Sequence, residues 1–242
     1  MIYMGSKGRL AKHLLPIILK NRGPEQWYIE PFVGGGNMIA NVDGLRIGYD
    51  ANPFAIKALE FIRDEVLPTD NGEFTERDYK YCQQAVRAGA TPTGLVSYAL
   101  FSFSFGGKFS GGWARNSKNR DYVAQQYRSC TKQKSKIKGV VFSAETYINA
   151  IIPASSIIYC DPPYAKTTGC KDTINHDDFW AWCREKAIEG HKVFISEYNA
   201  PDDFVCLWEK EQRVVMSNTG NSKNLKSIEK LFIHESQAGE YK

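Results

Sequence analysis

The chain has 242 residues, 43% of them hydrophobic and 24% charged, which is enough to bury one core and to carry a smaller insert. No apolar run approaches the roughly 18 residues that span a bilayer, and no signal-peptide segment follows Lys7, Arg9 and Lys12, so we expect a cytoplasmic protein without a membrane partner. The six cysteines form no Cys-x-x-Cys pair, which favours reduced structural thiols over a metal site or the disulfides of a secreted chain.

The first predicted element is a helix over residues 7–20, where the apolar residues recur at helical spacing. Ser6 is the expected N-cap of this helix. Pro16 must kink or end it, because proline donates no backbone hydrogen bond and clashes with the preceding turn. A short buried strand is predicted next, over residues 27–32.

A glycine turn, Gly34-Gly35-Gly36, follows this strand directly, and we expect a helix over residues 37–42. Residues 45–50 form the next predicted strand, which ends in Asp50. Glycines let a ligand approach the backbone, and a carboxylate at the end of the neighbouring strand can accept hydrogen bonds from both hydroxyls of a ribose. The pair suggests an adenosine-containing cofactor, although a tight turn and a strand-end acid before Asn52-Pro53 explain it equally well.

The composition then changes, which indicates an inserted subdomain. Residues 53–67 and 75–88 have the pattern of helices, so we expect the insert to be mostly helical. Aromatic residues and serine dominate residues 95–105, and glycine and basic residues dominate residues 106–120.

The net charge of +4 is distributed unevenly along the chain. Residues 108–138 contain nine basic residues and one acid, so this segment carries +8 and the remainder carries −4. Such a segment can neutralise phosphates, and Arg115, Lys118 and Arg120 are the candidate DNA contacts, although a charge run is commonly only a solvated face. The aromatic residues among these charges can fill the gap left by an extruded base or simply pack the insert; they are Phe109, Trp113, Tyr122 and Tyr127.

After the insert, a buried strand is predicted over residues 155–160, and Asp161-Pro162-Pro163-Tyr164 follows it directly. Ligands of open α/β sheets bind at this carboxyl end of the strands. Each proline favours an extended predecessor and donates no hydrogen bond, so the loop is stiff and its carbonyls can accept. A rigid surface turn is the alternative, but an arbitrary match of this kind is expected in only about one chain in a thousand of this length.

The chemistry that suits this loop is the activation of a planar amine, whose lone pair is delocalised into a nucleobase ring. The carboxylate of Asp161 and the carbonyl of Pro162 can each accept one N–H, which favours a pyramidal nitrogen and directs its lone pair at a methyl sulfonium. Tyr164 can stack on the base and hold it outside the duplex, which contributes roughly 1–3 kcal/mol. No metal is needed for this step.

The remaining predicted elements are a helix over residues 176–189 and strands over residues 192–198, 213–217 and 230–235. The alternation of strands and helices, with glycine at the first turn, predicts an α/β fold with a doubly wound sheet. The polar residues 217–224 are predicted to form either a mobile loop beside the site or an ordinary surface loop.

Four motifs, taken in order, resemble the Dam-type adenine-specific DNA methyltransferases of bacteria and phages. They are Tyr3 to Lys7, Glu30 to Gly36, Asp50, and Asp161 to Tyr164, and the resemblance covers nearly the whole chain. It implies a Rossmann-like S-adenosylmethionine-dependent methyltransferase domain with a target-recognition insert. The corresponding boundaries are residues 1–52 and 140–242 for the catalytic domain and residues 53–139 for the insert. Residues 98–128 look more like phage-type relatives, so the recognised DNA sequence is not carried over.

The resemblance also implies roles for individual residues. The residues expected to form the S-adenosylmethionine pocket are Tyr3, Lys7, Pro31, Phe32, Gly34 and Gly36. Asp50 is expected to hold the ribose, and Asp161 to contact both the methionine end of the cofactor and the target amine. The helix start at residues 176–179 and the strand at residues 194–198 resemble family segments near the base and the cofactor.

The expected reaction transfers a methyl group from S-adenosylmethionine to N6 of an adenine flipped out of double-stranded DNA, and releases S-adenosylhomocysteine. We expect a monomer or weak dimer that uses no metal. Two alternatives stay open: a relative of the same fold that acts on cytosine N4, RNA adenine or a glutamine side chain, and a DNA-binding relative that has lost catalysis. Asp161, rather than Ser or Asn, before Pro162 favours adenine by resemblance.

Overall fold

The computed structural model describes residues 1–115, 120–163, 174–214 and 225–241, and of residues 212–214 and 225–227 only the backbone. The described chain contains α-helices and a mixed β-sheet, so the predicted α/β class is confirmed. The chain divides into two compact units, which are taken in turn below. The first unit comprises Met1–Lys12 and Phe32–Ala150, and the second comprises His13–Pro31 and Ile151–Lys242.

The first unit contains two paired strands and four helices. Strand β2 (Arg46–Tyr49) and strand β3 (Val141–Ser143) run parallel, with Ile47 opposite Val141 and Gly48 opposite Phe142. The helices that lie between these strands in the chain are α2 (Pro53–Asp64), α3 (Glu76–Arg87), α4 (Gly94–Ser102) and α5 (Tyr122–Lys136). The predicted insert, residues 53–139, therefore falls within this unit and is mostly helical, while its boundaries remain a prediction.

The starts of these helices follow from local sequence. At the start of α2 the side-chain oxygen of Asn52 accepts a hydrogen bond from the N–H of Phe54, and proline occupies the first helical position. At the start of α3, Thr75 and Asp78 form a reciprocal capping box. Asp121 caps α5 through a single bond: its side chain accepts from the N–H of Ala124 at 2.8 Å.

A buried arginine joins α5 to β2. The guanidinium of Arg46 donates to the carbonyls of Lys136 at 2.8 Å and Lys138 at 3.0 Å, at the end of α5, and to the carbonyl of Ile39 at 3.2 Å. The carbonyl of Lys136 belongs to the last turn of α5, where no later N–H of the helix reaches it, and it would be costly to bury without a donor. Arg46 therefore satisfies the end of α5 from the neighbouring strand.

The second unit contains a five-stranded mixed sheet with the order β1-β4-β5-β7-β6. Strands β1, β4 and β5 pair in parallel, and β7 and β6 continue the sheet in antiparallel pairs. The strands are β1 (Tyr28–Glu30), β4 (Ile157–Cys160), β5 (Lys192–Glu197), β6 (Phe204–Val214) and β7 (Leu225–His234). Helix α6 (His176–Ile188) begins after Asn175, whose side chain accepts from the N–H groups of Asp177 and Asp178.

Three expectations for the N-terminal part were wrong: the bounds of the first helix, its N-cap, and the helix after the glycine turn. Helix α1 covers Ala11–Ile18 rather than residues 7–20, and Ser6 is not its N-cap, because its hydroxyl accepts from the N–H of Gly8 in a turn before the helix. Pro16 does not end the helix, which continues to Ile18. The helix expected over residues 37–42 is only a 3-10 turn, Ile39–Asn41.

The C-terminal strands also differ from expectation. Of the strand predicted over residues 213–217, residues 213 and 214 are the end of β6, which begins nine residues earlier in the chain at Phe204, and residues 215–217 lie outside the described part of the chain. Strand β6 pairs along its length with β7, and neighbouring polar residues on both strands obscure the apolar alternation of a strand. Residues 217–224 lie outside the described part of the chain, as does Cys170. The five described cysteines are free thiols. Within the described ranges, no helix is long and apolar enough to cross a membrane.

Candidate functional site

The glycine turn of the first unit has a backbone that requires glycine at two positions. Gly34 and Gly36 adopt φ values of +48° and +65°, which side chains disfavour. The N–H of Gly34 donates to Oδ2 of Asp50 at 2.8 Å, and the N–H of Asn52 donates to Oδ1 at 2.9 Å. Two backbone donors thus orient the Asp50 carboxylate at the turn that follows β2.

Close packing is a second reason why glycine occupies these positions. A Cβ on Gly34 would lie 2.9 Å from the Tyr3 ring, and one on Gly35 would lie 2.6 Å from Cβ of Tyr3 and 2.8 Å from the Asn37 amide. A Cβ on Gly36 would lie 2.9 Å from Leu59. Packing within the protein therefore accounts for all three glycines, so the triplet alone does not establish a ligand-binding site.

A residue of α5 that the sequence analysis did not single out supports this turn. The buried amide of Gln133 donates to the carbonyl of Gly35 at 2.8 Å and to that of Gly36 at 3.3 Å. The buried positions of α5 recur at helical spacing, and they are Val123, Gln126, Cys130 and Gln133. Periodicity could therefore have identified Gln133, although its residue type gives no signal.

The other predicted cofactor residues of the first unit lie in mixed surroundings. Tyr3 is half-buried, and its ring centroid lies 5.3 Å from that of Phe101. Lys7 is half-buried, and its ammonium donates to the carbonyl of Gly5 at 3.5 Å. Phe32 is half-buried against Tyr147, with ring centroids 5.5 Å apart. The structure thus brings Tyr3, the glycine turn and Asp50 together.

In the second unit, the predicted catalytic loop begins where expected. Asp161 is half-buried and follows Cys160, the last residue of β4, while Pro162 is buried and Pro163 half-buried. Tyr164 lies outside the described residues. Strand β4 is central, since it pairs in parallel with β1 on one side and with β5 on the other.

Each of the three neighbouring parallel strands of this sheet ends in an acidic residue or is followed directly by one. Glu30 ends β1 and Glu197 ends β5, and each is only 3% exposed, while Asp161 follows β4. Because parallel strands share a carboxyl edge, these acids occupy the same edge of the sheet. Oε1 of Glu30 accepts from the hydroxyl of Tyr28 at 2.9 Å, and Oε1 of Glu197 accepts from the N–H of Tyr198 at 2.8 Å.

A buried hydroxyl pair lies between β4 and β5. The hydroxyls of Tyr159 and Ser196 hydrogen-bond to each other at 2.8 Å. Burial raises the pKa of Tyr159 well above its ordinary value, and the negative charge of Asp161 raises it further. Tyr159 is therefore protonated throughout the physiological range.

The predicted DNA contacts in the first unit are exposed where they are described. The side chain of Arg115 is 77% exposed, and its guanidinium lies 3.8 Å from a carboxylate oxygen of Glu76. Arg120 is exposed directly before the residue that caps α5, and Lys118 lies outside the described residues. Because they are exposed, both described arginines are accessible to a binding partner.

The aromatic residues of the basic segment mainly pack the insert. The ring of Phe109 lies 4.8 Å from the rings of both Phe54 and Phe101, and that of Trp113 lies 5.4 Å from Tyr79. Tyr122 and Tyr127 are half-buried. By contrast Phe105, which was not singled out in the sequence, is 66% exposed at the start of a glycine-rich turn.

Comparison with known proteins supplies no family assignment. No protein-family model matches the chain, and the search of curated proteins finds no matching sequence. Among the described residues, no group of three or more histidine, cysteine, aspartate or glutamate side chains is arranged to hold a metal ion. The functional interpretation therefore depends on the residues described above.

Proposed function

We propose that the chain is an S-adenosylmethionine-dependent DNA methyltransferase that methylates N6 of adenine. The observation that carries this proposal is the position of Asp161-Pro162, directly after the central strand β4 and at an edge where both neighbouring strands end in buried carboxylates. Such a reaction belongs in the cytoplasm, where DNA and the cofactor are both present.

The proposed role of Asp161 and Pro162 is to hold the target amine. One N–H of the amine donates to the Asp161 carboxylate and the other to the Pro162 carbonyl, which localises the nitrogen lone pair. S-adenosylmethionine, when bound, supplies the methyl group on a sulfonium. Transfer would form the new N–C bond as the C–S bond of the donor breaks, with S-adenosylhomocysteine as the leaving group, and the proton that the amine loses would pass to solvent. The carboxyl groups of Asp161, Glu30 and Glu197 at this edge suit a cationic donor.

The proposed adenosine-binding residues lie in the first unit. Asp50 is oriented by the N–H groups of Gly34 and Asn52. Because each carboxylate oxygen accepts more than one hydrogen bond, the carboxylate suits the two hydroxyls of a ribose. Tyr3 and Phe32 are half-buried aromatic residues beside the turn, which suits contact with an adenine ring.

Substitution of Asp161 tests the proposal most directly. Asp161→Ala removes one of the two acceptors, and we expect methyl transfer to fall at least about 10²-fold to 10³-fold, by analogy with the loss of one preorganised hydrogen-bonding group. The measurement is the incorporation of label from methyl-labelled S-adenosylmethionine into plasmid DNA. Asp202→Ala removes an exposed carboxylate of the same unit and serves as the matched control. Full activity of Asp161→Ala would exclude the proposed mechanism.

The identity of the product separates the alternatives. We expect mass spectrometry of nucleosides from methylated DNA to give N6-methyladenine. N4-methylcytosine, or label in RNA or protein only, would assign the chain to another substrate of the same chemistry. DNA binding without incorporation on DNAs of varied sequence would instead identify a relative that has lost catalysis.

A further inference from the structure

A groove of about 930 Å³ lies in the first unit between α2, the end of α5 and the start of β3. Its lining combines apolar residues with basic and hydroxyl side chains. The lining residues are Arg63, Asp64, Thr131, Lys134, Ser135, Lys138 and residues 139–142. We call this the cationic groove.

One basic residue of the groove, Arg63, is paired with a carboxylate within the fold. The guanidinium of Arg63 donates to both carboxylate oxygens of Asp64, at 2.8 and 2.7 Å, and to the carbonyl of Val140 at 2.7 Å. It also lies over the ring of Phe142, 5.6 Å from the centroid. The hydrogen bonds with Asp64 raise the pKa of Arg63. Arg63 is therefore a structural part of the groove lining.

Two lysines in the last turn of α5 donate to neutral acceptors. The ammonium of Lys134 donates to the backbone carbonyl of Glu65 at 2.7 Å, and that of Lys136 donates to the amide oxygen of Asn41 at 2.8 Å. Lys134 also lies near Asp64, whose pKa is lowered by its hydrogen bond with Arg63 and, to a smaller extent, by the charge of Lys134. An ammonium has three N–H donors, which leaves two for an incoming anion.

Helix α5 does not need these lysines at its C-terminal end. Cations near a helix end gain typically 0.3–1 kcal/mol from the macrodipole, but Arg46 already donates to the carbonyls of Lys136 and Lys138. The helix from Tyr122 to Lys136 contains no acidic residue to pair with its cations. The cations of α5 therefore have no carboxylate partner within the helix itself.

The spacing of the exposed cations favours a polyanion over a single anion. Arg128, Lys132 and Lys136 are exposed and four residues apart, so they share one face of α5 at intervals of about 6 Å. Lys138 continues the charge into the groove, beside the hydroxyls of Thr131 and Ser135. A row of repeating positive charges suits the repeating phosphates of a nucleic acid.

We propose that the cationic groove and the adjoining face of α5 bind the phosphate backbone of DNA without regard to sequence. This inference rests on the proposed function in that it takes DNA as the ligand. It assigns to Lys132, Lys134 and Lys138 a contribution to affinity that is separate from the recognition of the target base.

The test compares two double variants of the full chain that remove the same charge. Lys132→Gln with Lys138→Gln alters the cationic groove, whereas Lys57→Gln with Lys80→Gln removes lysines of the same unit that are paired with Glu60 and Glu76. Binding of a fluorescent DNA duplex is measured by anisotropy over a range of salt concentrations. We expect the groove variant to lose about 2 from the slope of log K against log salt, and the control to match wild type.

Equal slopes for the two variants, with equal melting temperatures, would overturn the inference. Tighter binding of a labelled poly-aspartate peptide than of the duplex would also overturn it, by making an acidic protein the better occupant. Methyl transfer is measured separately on the same variants. A smaller salt slope in the groove variant, together with no methyl transfer by the wild-type chain, would support the groove assignment and exclude the proposed function.

Discussion

The glycine turn and the carboxyl edge of β1, β4 and β5 differ in what the fold requires of their residues. At the turn, every glycine has an internal reason, since a Cβ would meet Tyr3, Asn37 or Leu59. At the edge, Glu30 and Glu197 are almost completely buried carboxylates. Burying a carboxylate costs free energy, and apolar residues would fill the same space at less cost.

This difference shows which kind of signal points to function. A motif that packing explains needs no ligand, so the turn supports a cofactor only together with Asp50. Buried acids that converge on one edge oppose stability, and such arrangements concentrate at functional sites. The case for chemistry at the edge is therefore stronger than the case at the turn.

The largest expected effect on stability is at the turn. Gly35→Ala places a Cβ 2.6 Å from Cβ of Tyr3, where two backbones must separate, and we expect a loss of about 1–3 kcal/mol in the free energy of unfolding. Gly112→Ala is the matched control, because nothing lies within 4 Å of its added Cβ. Chemical denaturation measures both variants. Equal stability would remove the packing explanation and leave ligand approach as the reason for the glycine.

A smaller effect is expected at the edge. Tyr159→Phe deletes a hydroxyl that bonds Ser196 in the core, and we expect a loss of about 1 kcal/mol in the free energy of unfolding. Adding Ser196→Ala removes the partner left behind, so the double variant should recover part of this loss. Denaturation curves of the two single variants and the double variant give the coupling energy. Strictly additive losses would mean that the two hydroxyls do not stabilise each other.

The smallest effect is expected at the opposite edge of the same sheet, where a buried polar group serves the fold. Nδ1 of His191 accepts from the N–H of Ser156 at 3.1 Å, just before β5 and β4 begin. Burial lowers the pKa of His191 below its ordinary 6.5, against the opposing charge of Glu189. The stability that depends on neutral His191 is therefore complete above pH 6.5 and is lost as the pH falls toward the lower folded pKa.

The variant His191→Asn tests this dependence, because its side-chain oxygen can still accept a hydrogen bond but does not titrate. We expect the decline in melting temperature between neutral and mildly acidic pH to be shallower in the variant than in wild type. Methyl transfer at neutral pH should be unchanged. An equally steep decline in both proteins would assign the pH dependence to other groups, and a loss of methyl transfer would erase the contrast between the two edges of the sheet.

Local signals made several elements predictable. The starts of α2 and α3 depend on residues within three positions of each other, Asn52 with Phe54 and Thr75 with Asp78. The same is true of α6, where Asn175 caps the first turn. The start of α1 and the segment 37–42 were misread, because apolar spacing there reflects burial against other parts of the chain rather than helix formation.

The sequence by itself determined the α/β class, the buried strand before Asp161, the turn at Gly34 and Gly36, and the excess of positive charge in residues 108–138. These depend on residue type and on spacing along the chain. Only the tertiary structure decided that Gln133 supports the turn, that Arg46 closes the end of α5, and that three strand-end acids share one edge. The reason is that such contacts join residues far apart in the chain, and their partners are set by how strands and helices pack rather than by any local pattern.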